Sequence, residues 1–200
     1  MSYICLTYFL AIFLNALHSL SILSLVFIFD NFFYCVTYLG DGFFAALILI
    51  FILLFISVRK SLVITGILLS VSALTQILKL FVFPSSSRPI VFFKDVIQLH
   101  FVDGLEIHTS NSFPSGHTTQ AFCMFFLFSF FIKNKNWNYV FFLIAALAAI
   151  SRVYLLQHFL RDIYVGAIIG TLGSVLFLYL SNKYALLSNP ALDLPLIKKK

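Results

Sequence analysis

The chain has 200 residues, of which 62% are hydrophobic and only 10% are charged, and its mean hydropathy is +1.05. A soluble domain carries roughly 25% charged residues, so this composition excludes a typical soluble globular protein and predicts an integral membrane protein. The net charge of +6 does not indicate nucleic-acid binding. Most of the cations lie in short connections and a tail beside apolar runs, which is the pattern that sets membrane topology.

The apolar runs predict an all-α, polytopic membrane helix bundle with about six transmembrane helices, since each span needs about 20 mostly apolar residues. The first run, Tyr3–Phe29, contains several polar residues and indicates either one tilted span or a short span followed by an interfacial helix. It lacks the basic flank of a signal peptide, so it is expected to be retained. A turn at Thr37–Gly42 then precedes the second span, with Asp41 as the predicted helix cap.

The later spans are predicted at Phe43–Val58, Leu62–Phe83, Ser115–Ile132, Trp137–Leu156 and Asp162–Leu180. One long polar connection, residues 84–114, separates the third span from the fourth. The sequence shows no repeat and no second domain. Residues 1–200 are therefore predicted to form a single membrane-embedded domain, in which loop 84–114 carries part of the site. The cysteines are odd in number, fit no metal pattern and are expected to pack among apolar side chains: Cys5, Cys35 and Cys123.

The distribution of positive charge predicts the orientation. Eight of the 13 Lys and Arg residues flank span ends that meet on one side: Arg59, Lys60, Lys133, Lys135, Lys183 and Lys198–Lys200. Positively charged loops stay in the cytoplasm. The alternating spans therefore place loop 84–114 on the opposite side, together with two polar clusters at Pro114–His117 and Ser151–Asp162. The chain is expected to be a multi-pass protein of a bacterial cytoplasmic membrane, with its site on the periplasmic or extracytoplasmic face.

The first polar cluster is Pro114-Ser115-Gly116-His117, at the start of the fourth span. A helix N-terminus exposes unpaired N–H groups and partial positive charge, and so it binds anions. Ser115 offers a hydroxyl and an N–H, and Gly116 lets a ligand approach the backbone closely. His117 at the mouth of such a site can transfer a proton. The alternative is a capping turn with an incidental histidine.

The second polar cluster runs from Ser151 to Asp162 and contains Arg152 and His158. The four-residue spacing of His158 and Asp162 would put both on one face of a helix. A carboxylate on one imidazole nitrogen fixes the tautomer and leaves the other nitrogen free to attack. Arg152 can grip a phosphate with two donors. The alternative is that these polar residues only anchor a helix end. Lys alone would serve that purpose, whereas this cluster contains Arg152 and His158 and is joined on the same membrane face by Arg88 of the loop.

These motifs together resemble the type 2 phosphatidic acid phosphatase (PAP2) superfamily of membrane lipid phosphatases, which is related to the vanadium haloperoxidases. That family combines a Lys with a following Arg-Pro, then Pro-Ser-Gly-His, then Ser-Arg-x5-His-x3-Asp, and the second and third motifs are complete here. Arg88-Pro89 completes the first, but eight residues separate it from Lys79 where the family usually has six. Either the loop bulges, or Lys79 is a helix-end residue that does not reach the phosphate. Lys94 is a less favoured substitute for it.

The resemblance implies a six-helix membrane fold and a phosphatase that needs no metal or other cofactor. It implies that His158 is the nucleophile and forms a phosphohistidine, that Asp162 orients it, and that His117 protonates the leaving oxygen. Water then hydrolyses the intermediate. The resemblance also implies a set of groups that hold the phosphoryl oxygens: Lys79, Arg88, Arg152, Ser115 and Gly116.

The expected partners are the bilayer and a lipid phosphate or diphosphate, such as phosphatidic acid, phosphatidylglycerophosphate, polyprenyl diphosphate or lipid A. Two alternatives stay open: a phosphotransferase on the same scaffold, which passes the phosphoryl group to a lipid or sugar hydroxyl, and a non-enzymatic membrane scaffold or transporter subunit. The polar residues of the loop match no common metal-ligand spacing, which favours a lid or headgroup-reading role for them: His100, Asp103, Glu106 and His108.

Overall fold

The computed structural model describes residues 7–9, 12–13, 23–95, 99–106, 108–184 and 189–197. Most of the predicted first span, Tyr3–Phe29, lies outside these ranges, and so do Cys5 and Lys198–Lys200. Within the described ranges the regular structure is helical throughout and no β-strand occurs. The predicted all-α class is confirmed.

The helices, in chain order, are α1 (Leu23–Thr37), a 3-10 turn (Tyr38–Gly40), α2 (Gly42–Phe55), α3 (Val58–Ile77), a π turn that continues α3 (Leu78–Val82), α4 (Pro89–Phe93), α5 (Gly116–Phe131), α6 (Trp137–Tyr154), α7 (Leu160–Lys183) and a C-terminal 3-10 turn (Pro190–Asp193). The five later predicted spans correspond to α2, α3, α5, α6 and α7. Helix α1 extends past the predicted end of the first span and runs up to the predicted turn.

Three of these helices are long and apolar enough to cross a membrane by themselves, namely α3 with its π turn, α6 and α7. Helices α1 and α2, bent by 56° at the break between them, supply a fourth candidate if they form one span. Helix α5 has 16 residues, fewer than the ~20 that cross a bilayer alone. The predicted count of six is therefore not confirmed within the described ranges. Large apolar side chains such as Phe142 and Leu172 are exposed on the outer faces, as lipid contact requires.

Helix α5 forms the centre of the bundle and packs against α3, α6 and α7. Its Ala121, Cys123 and Leu127 side chains are completely buried. Helix α7 approaches α5 closely at Gly166, where an added Cβ would lie 2.7 Å from the carbonyl oxygen of Ser115. A glycine is needed there because backbone, and not a movable side chain, fills the space.

Helix α3 starts earlier than predicted. Ser57 is its N-cap, and the Ser57 hydroxyl accepts a hydrogen bond from the N–H of Lys60 at 3.2 Å. Arg59 and Lys60 therefore lie in the first turn of α3, and the predicted start at Leu62 is wrong. A serine cap can satisfy an orphan N–H of the first turn, so the helix continues through the two cations instead of stopping at them.

The C-terminal segment closes this same end of the bundle. The N–H groups of Leu196 and Ile197 donate to the carbonyl oxygens of Leu53 and Leu54 at 3.1 and 3.0 Å. These carbonyls belong to the last turn of α2, where helix geometry leaves them without intrahelical partners. The segment after α7 therefore acts as the C-terminal cap of α2.

The polar clusters meet at the opposite end of the bundle. The ends of α3 and α6 and the starts of α5 and α7 converge there, beneath the connection between α4 and α5. A direct tie between two of these elements is the hydrogen bond from the Ser115 N–H to the Asp162 carbonyl oxygen, at 3.0 Å. The fold thus brings Ser115 and Asp162, which are 47 positions apart in sequence, into direct contact.

Candidate active site

The start of α5 is built by Ser115, its fully buried N-cap residue. The Ser115 hydroxyl accepts hydrogen bonds from the N–H (3.4 Å) and the hydroxyl (3.0 Å) of Thr118. Its N–H is engaged with the Asp162 carbonyl and so serves the packing of α5 on α7. The N–H groups of Gly116 and His117 lie in the first helical turn, which has no intrahelical acceptors for them. Both residues are partly exposed, and together they form an anion-binding edge.

Lys79 lies in the π turn at the end of α3. A π turn accommodates one residue more than an α-helical turn, so it absorbs part of the extra length before Arg88. The Lys79 ammonium donates to the carbonyl oxygen of Asn111 at 3.2 Å. It also lies 3.9 Å from the position that a Cβ on Gly116 would take. The structure therefore places Lys79 beside the start of α5, despite its unusual spacing.

Arg88 is buried, and oxygen atoms surround its guanidinium. Its Nε donates to the carbonyl oxygen of Ser110 at 3.0 Å, and its Nη1 donates to the carbonyl oxygen and to Oε1 of Gln157 at 2.9 and 2.8 Å. In the part of the chain that the structure describes, no hydrogen bond engages Nη2. Burial lowers the pKa of Arg88, against the opposing effect of the Asp162 carboxylate. An arginine stays charged at neutral pH all the same.

Arg152 lies in the last turn of α6 and is only 5% exposed. Its Nη1 donates to the hydroxyl of Thr37, the last residue of α1, at 2.6 Å. Its Nε is buried and has no hydrogen-bond partner among the described residues. A buried charged donor without an acceptor costs free energy. Arg152 is therefore suited to receive an anionic oxygen.

His158 does not lie on a helix, so the helical spacing considered for His158 and Asp162 does not apply. Helix α6 ends in a Schellman-type turn, in which Leu156 adopts a left-handed φ of 54° and the Gln157 N–H donates to the Arg152 carbonyl oxygen at 3.0 Å. His158 follows this turn, and α7 starts only at Leu160.

Asp162 nevertheless reaches His158, because it occupies the third position of α7 and its side chain turns back over the helix start. Its Oδ2 accepts a hydrogen bond from the Phe159 N–H at 3.0 Å and lies 3.5 Å from Nδ1 of His158. Burial lowers the pKa of His158 to about 3, against the opposing effect of Asp162. The imidazole is therefore neutral at pH 7. With its Nδ1–H directed at the carboxylate, the lone pair of Nε2 is free.

Sequence reasoning missed three residues that contact this cluster, namely Ser112, Gln157 and Thr37. The buried Ser112 hydroxyl donates to Oδ2 of Asp162 and lies 3.4 Å from Nδ1 of His158. No pattern marks a single Ser, Thr or Gln as part of a site. The one usable signal was position, since Gln157 immediately precedes the motif histidine.

The predicted loop residues do not gather into one group. Nε2 of His100 lies 2.9 Å from Oδ2 of Asp30, and Oδ1 of Asp30 accepts from the Tyr154 hydroxyl at 2.7 Å. His100 thus ties the loop to α1 and α6. His108 lies near the surface, with Nε2 3.9 Å from Oε2 of Glu106. Within the described ranges, no group of three or more His, Cys, Asp and Glu side chains is placed to hold a metal ion.

A polar cavity of about 310 Å³ opens beside Lys79 and Arg88. It is lined by Gln76, Lys79, Leu80, Arg88, His108, Thr109, Ser110 and Asn111. None of these lining residues is acidic, so the cavity favours an anionic or hydroxyl-rich group. Lys94 does not line this cavity. Its side chain is exposed, and its Nζ lies 4.0 Å from Oδ2 of Asp95.

The assembled cluster combines cations, two imidazoles and a carboxylate. The charges of Arg152, Lys79 and Arg88 and the ring of His158 all act electrostatically on His117. Such a set can hold a phosphoryl group by its oxygens. It also contains a neutral imidazole, which can act as a nucleophile, and a second imidazole, which can transfer a proton.

Two bacterial relatives match part of the chain in sequence. Phosphatidylglycerophosphatase B of Bacillus subtilis (strain 168) is 38% identical over 76 residues, which are 33% of this chain and 37% of that protein. The bacitracin transport permease protein BcrC of Bacillus licheniformis is 36% identical over 75 residues, which are 38% and 36% of the two chains. The matches thus span little more than a third of the length of each relative.

Two solved structures share the fold. The crystal structure of Aquifex aeolicus LpxE superposes with a TM-score of 0.65 and 30% sequence identity, covering 76% of this chain and 86% of that one. A transmembrane PAP2-type phosphatidylglycerolphosphate phosphatase from Bacillus subtilis superposes with a TM-score of 0.61 and 22% identity, covering 92% and 98%. The apolar helices and this likeness establish a multi-pass membrane protein.

The model of one protein family, the PAP2 superfamily, matches residues 60–185. This segment contains every motif residue of the cluster, from Lys79 to Asp162, together with the helices that position them. The match covers more than half of the chain, and the chain belongs to the PAP2 superfamily.

Proposed function

We propose that the protein is a metal-independent phosphatase that removes a phosphate group from a lipid phosphate or diphosphate through a phosphohistidine intermediate. One observation carries the proposal: the buried His158–Asp162 pair lies beside Arg152, whose Nε has no hydrogen-bond partner in the described part of the chain. Membership of the PAP2 superfamily supports it, and so does the name of the relative phosphatidylglycerophosphatase B.

The first step is an attack of His158 Nε2 on the phosphorus atom. An N–P bond forms while the bond from phosphorus to the lipid oxygen breaks, and His117 donates a proton to that leaving oxygen. Asp162 holds the Nδ1 proton of His158 and stabilises the positive charge that the ring acquires. A water molecule then gives a proton to His117 and attacks the phosphorus atom of the phosphohistidine. The new O–P bond forms while the N–P bond breaks, so inorganic phosphate leaves and both histidines return to their starting protonation states.

In this mechanism the protein's own cations stabilise the negative charge of the transition state. Arg152, Arg88 and Lys79 together with the N–H edge at Gly116 would hold the phosphoryl oxygens as negative charge develops on them. Preorganised donors in a buried site stabilise such charge far better than water does. They supply what a metal ion supplies in other phosphatases, so the proposed reaction needs no cofactor.

The proposal includes a location. Residues 1–200 would form one membrane-embedded domain, with the active site and loop 84–114 on the extracytoplasmic face of a bacterial cytoplasmic membrane. The charge distribution supports this orientation, because Arg59 and Lys60 lie at the end of α3 remote from the site and cationic loops stay in the cytoplasm. The lipid tail would lie along the apolar helices, and the headgroup would enter the polar cavity beside Lys79.

Phosphate release by the purified protein in detergent tests the proposal, with a panel of phosphatidic acid, phosphatidylglycerophosphate, lipid A and polyprenyl diphosphate in the presence of EDTA. We expect His158→Ala to abolish release and His117→Ala to lower it by about 10²-fold or more, as loss of general acid catalysis does. Lys133→Gln, at the remote end of the bundle, is the matched control and should match the wild type. Full activity of His158→Ala would refute the mechanism, and loss of activity in EDTA would refute metal independence.

Product analysis separates hydrolysis from transfer. A phosphohistidine can pass its phosphoryl group to a lipid or sugar hydroxyl as well as to water. With a labelled donor and candidate acceptors, we expect all of the label to appear as inorganic phosphate. Label in an acceptor would assign a phosphotransferase, and absence of both turnover and vanadate binding would leave a non-enzymatic membrane protein.

A further inference from the structure

Gln157 makes four hydrogen bonds and is only 4% exposed. Its N–H donates to the Arg152 carbonyl oxygen at 3.0 Å. Its carbonyl oxygen and its Oε1 both accept from Nη1 of Arg88, at 2.9 and 2.8 Å. Its Nε2 donates to the carbonyl oxygen of Glu106 at 3.2 Å. One residue thus links both buried arginines to the loop, and it directly precedes His158 in the chain.

The contacts to Arg88 constrain how the guanidinium can face a ligand. The guanidinium carries its N–H donors in a rigid planar fork. Ser110 engages Nε and Gln157 engages Nη1 through two acceptors, which leaves Nη2 as the donor edge with no hydrogen bond in the described ranges. Removal of Oε1 of Gln157 would leave a single acceptor on Nη1 and would allow the fork to turn.

We propose that the Gln157 side chain is a positioning residue, which orients Arg88 toward the phosphoryl group and couples that orientation to the loop at Glu106. The inference rests on the proposed function, because it assigns Arg88 to the bound phosphate. Gln157 itself does not touch the reacting atoms. In this proposal its influence on ligand binding passes through the Arg88 guanidinium, which its Oε1 contacts at 2.8 Å.

This dependence distinguishes positioning from a merely structural role. If the buried amide only stabilised the fold, its removal would lower the unfolding temperature. The removal would then change ligand affinity by the same factor whatever residue occupied position 88. A positioning residue changes ligand affinity only while the guanidinium is present. Two residues that act through one contact show non-additive effects in a double-mutant cycle.

The experiment measures the affinity of the purified protein for orthovanadate by calorimetric titration. We expect Gln157→Met, which keeps the size and removes the amide, to weaken vanadate binding about tenfold, since a hydrogen bond to a charged group is lost. Leu155→Met, an equally buried change in the same turn, should alter the affinity less than about twofold. In an Arg88→Lys background, Gln157→Met should add less than about threefold.

An unchanged vanadate affinity in Gln157→Met overturns the inference. So does a full tenfold loss in the Arg88→Lys background, because Gln157 would then act elsewhere. If Gln157→Met does not fold, Gln157→Asn provides the same test, since its shorter amide cannot reach Nη1, and it should show a loss of the same order. Vanadate titration requires no turnover. A wild-type protein that binds vanadate but releases no phosphate from lipids would refute the proposed function and not this inference, whereas one that binds no vanadate refutes the inference.

Discussion

Asp162 contacts His158 across the start of α7, with its Oδ2 3.5 Å from Nδ1 of the imidazole. The same oxygen accepts the Phe159 N–H at 3.0 Å and so caps the helix. Orientation of the histidine and capping of α7 therefore depend on one carboxylate, and a change at this position is expected to affect both.

Asp162→Asn should lower kcat by about three orders of magnitude, because an amide can donate to Nδ1 and so favours the wrong tautomer of His158. The loss of the capping charge should cost about 1 kcal/mol of stability. Turnover and thermal unfolding of the same preparation separate the two effects. Asp193→Asn, near Arg59 at the remote end, is the control and should keep wild-type turnover. A kcat for Asp162→Asn within tenfold of the wild type would contradict the assigned role.

The buried imidazole of His158 predicts a specific dependence of stability on pH. Its pKa in the folded protein is about 3, well below the ordinary value of 6.5, so the folded state favours the neutral ring. The resulting stabilisation is complete above pH 6.5 and is lost progressively as the pH falls toward 3. Between pH 7.5 and pH 5 the wild type should lose about 2 kcal/mol from this group alone.

The measurement compares unfolding temperatures of the wild type and His158→Gln at pH 7.5 and pH 5. Glutamine keeps a donor for Asp162 but does not titrate, and all other titrating groups are common to the two proteins. The wild type should therefore lose more stability on acidification than the variant does. Equal losses in both proteins would show that His158 is not held neutral by burial.

Lys79 and Lys94 form a natural pair for testing which lysine serves the site. Lys79→Met should lower kcat/KM about tenfold, since it removes a charge-assisted contact to the phosphoryl oxygens. Lys94→Met should change kcat/KM less than twofold, because that side chain is exposed and lies 4.0 Å from Asp95. Steady-state kinetics on one lipid phosphate decide the matter, and the reverse order of effects would assign the role to Lys94.

Gly166 and Gly66 offer a matched pair for the packing of α7 on α5. Gly166→Ala forces a Cβ to within 2.7 Å of the Ser115 carbonyl oxygen and should cost about 1–3 kcal/mol through overpacking. It should also lower kcat, since the displaced turn carries His117. An added Cβ at Gly66 meets nothing within 4 Å, so Gly66→Ala should be neutral or stabilising by up to about 1 kcal/mol. Equal unfolding temperatures for the two variants would contradict the close approach.

The helices and motif residues were predictable from the sequence because both leave strong patterns. Long apolar runs mark α3, α6 and α7, and the start of α5 coincides with Pro114-Ser115-Gly116-His117. The start of α3 was missed because a cation pair suggested a loop, whereas the Ser57 cap lets the helix continue through Arg59 and Lys60. Capping serines are common, and a single one carries little predictive weight.

The geometry around His158 could not be predicted for a different reason. The turn after α6 depends on Leu156 in a left-handed conformation, which usually belongs to glycine, so nothing in the sequence indicates it. The contacts of Gln157 and Ser112 arise from pairings with residues 69 and 50 positions away. Such pairings follow from tertiary structure and have no local signature.

The π turn at Leu78–Val82 has a consequence for the detection of related proteins. It keeps the Lys79 ammonium beside Gly116 although the interval to Arg88 is two residues longer than usual. A search pattern with a fixed interval between these cations would reject this chain and any homologue with the same insertion. Surveys that allow the first motif to vary in length, and anchor on the other two, should recover family members that rigid patterns leave unclassified.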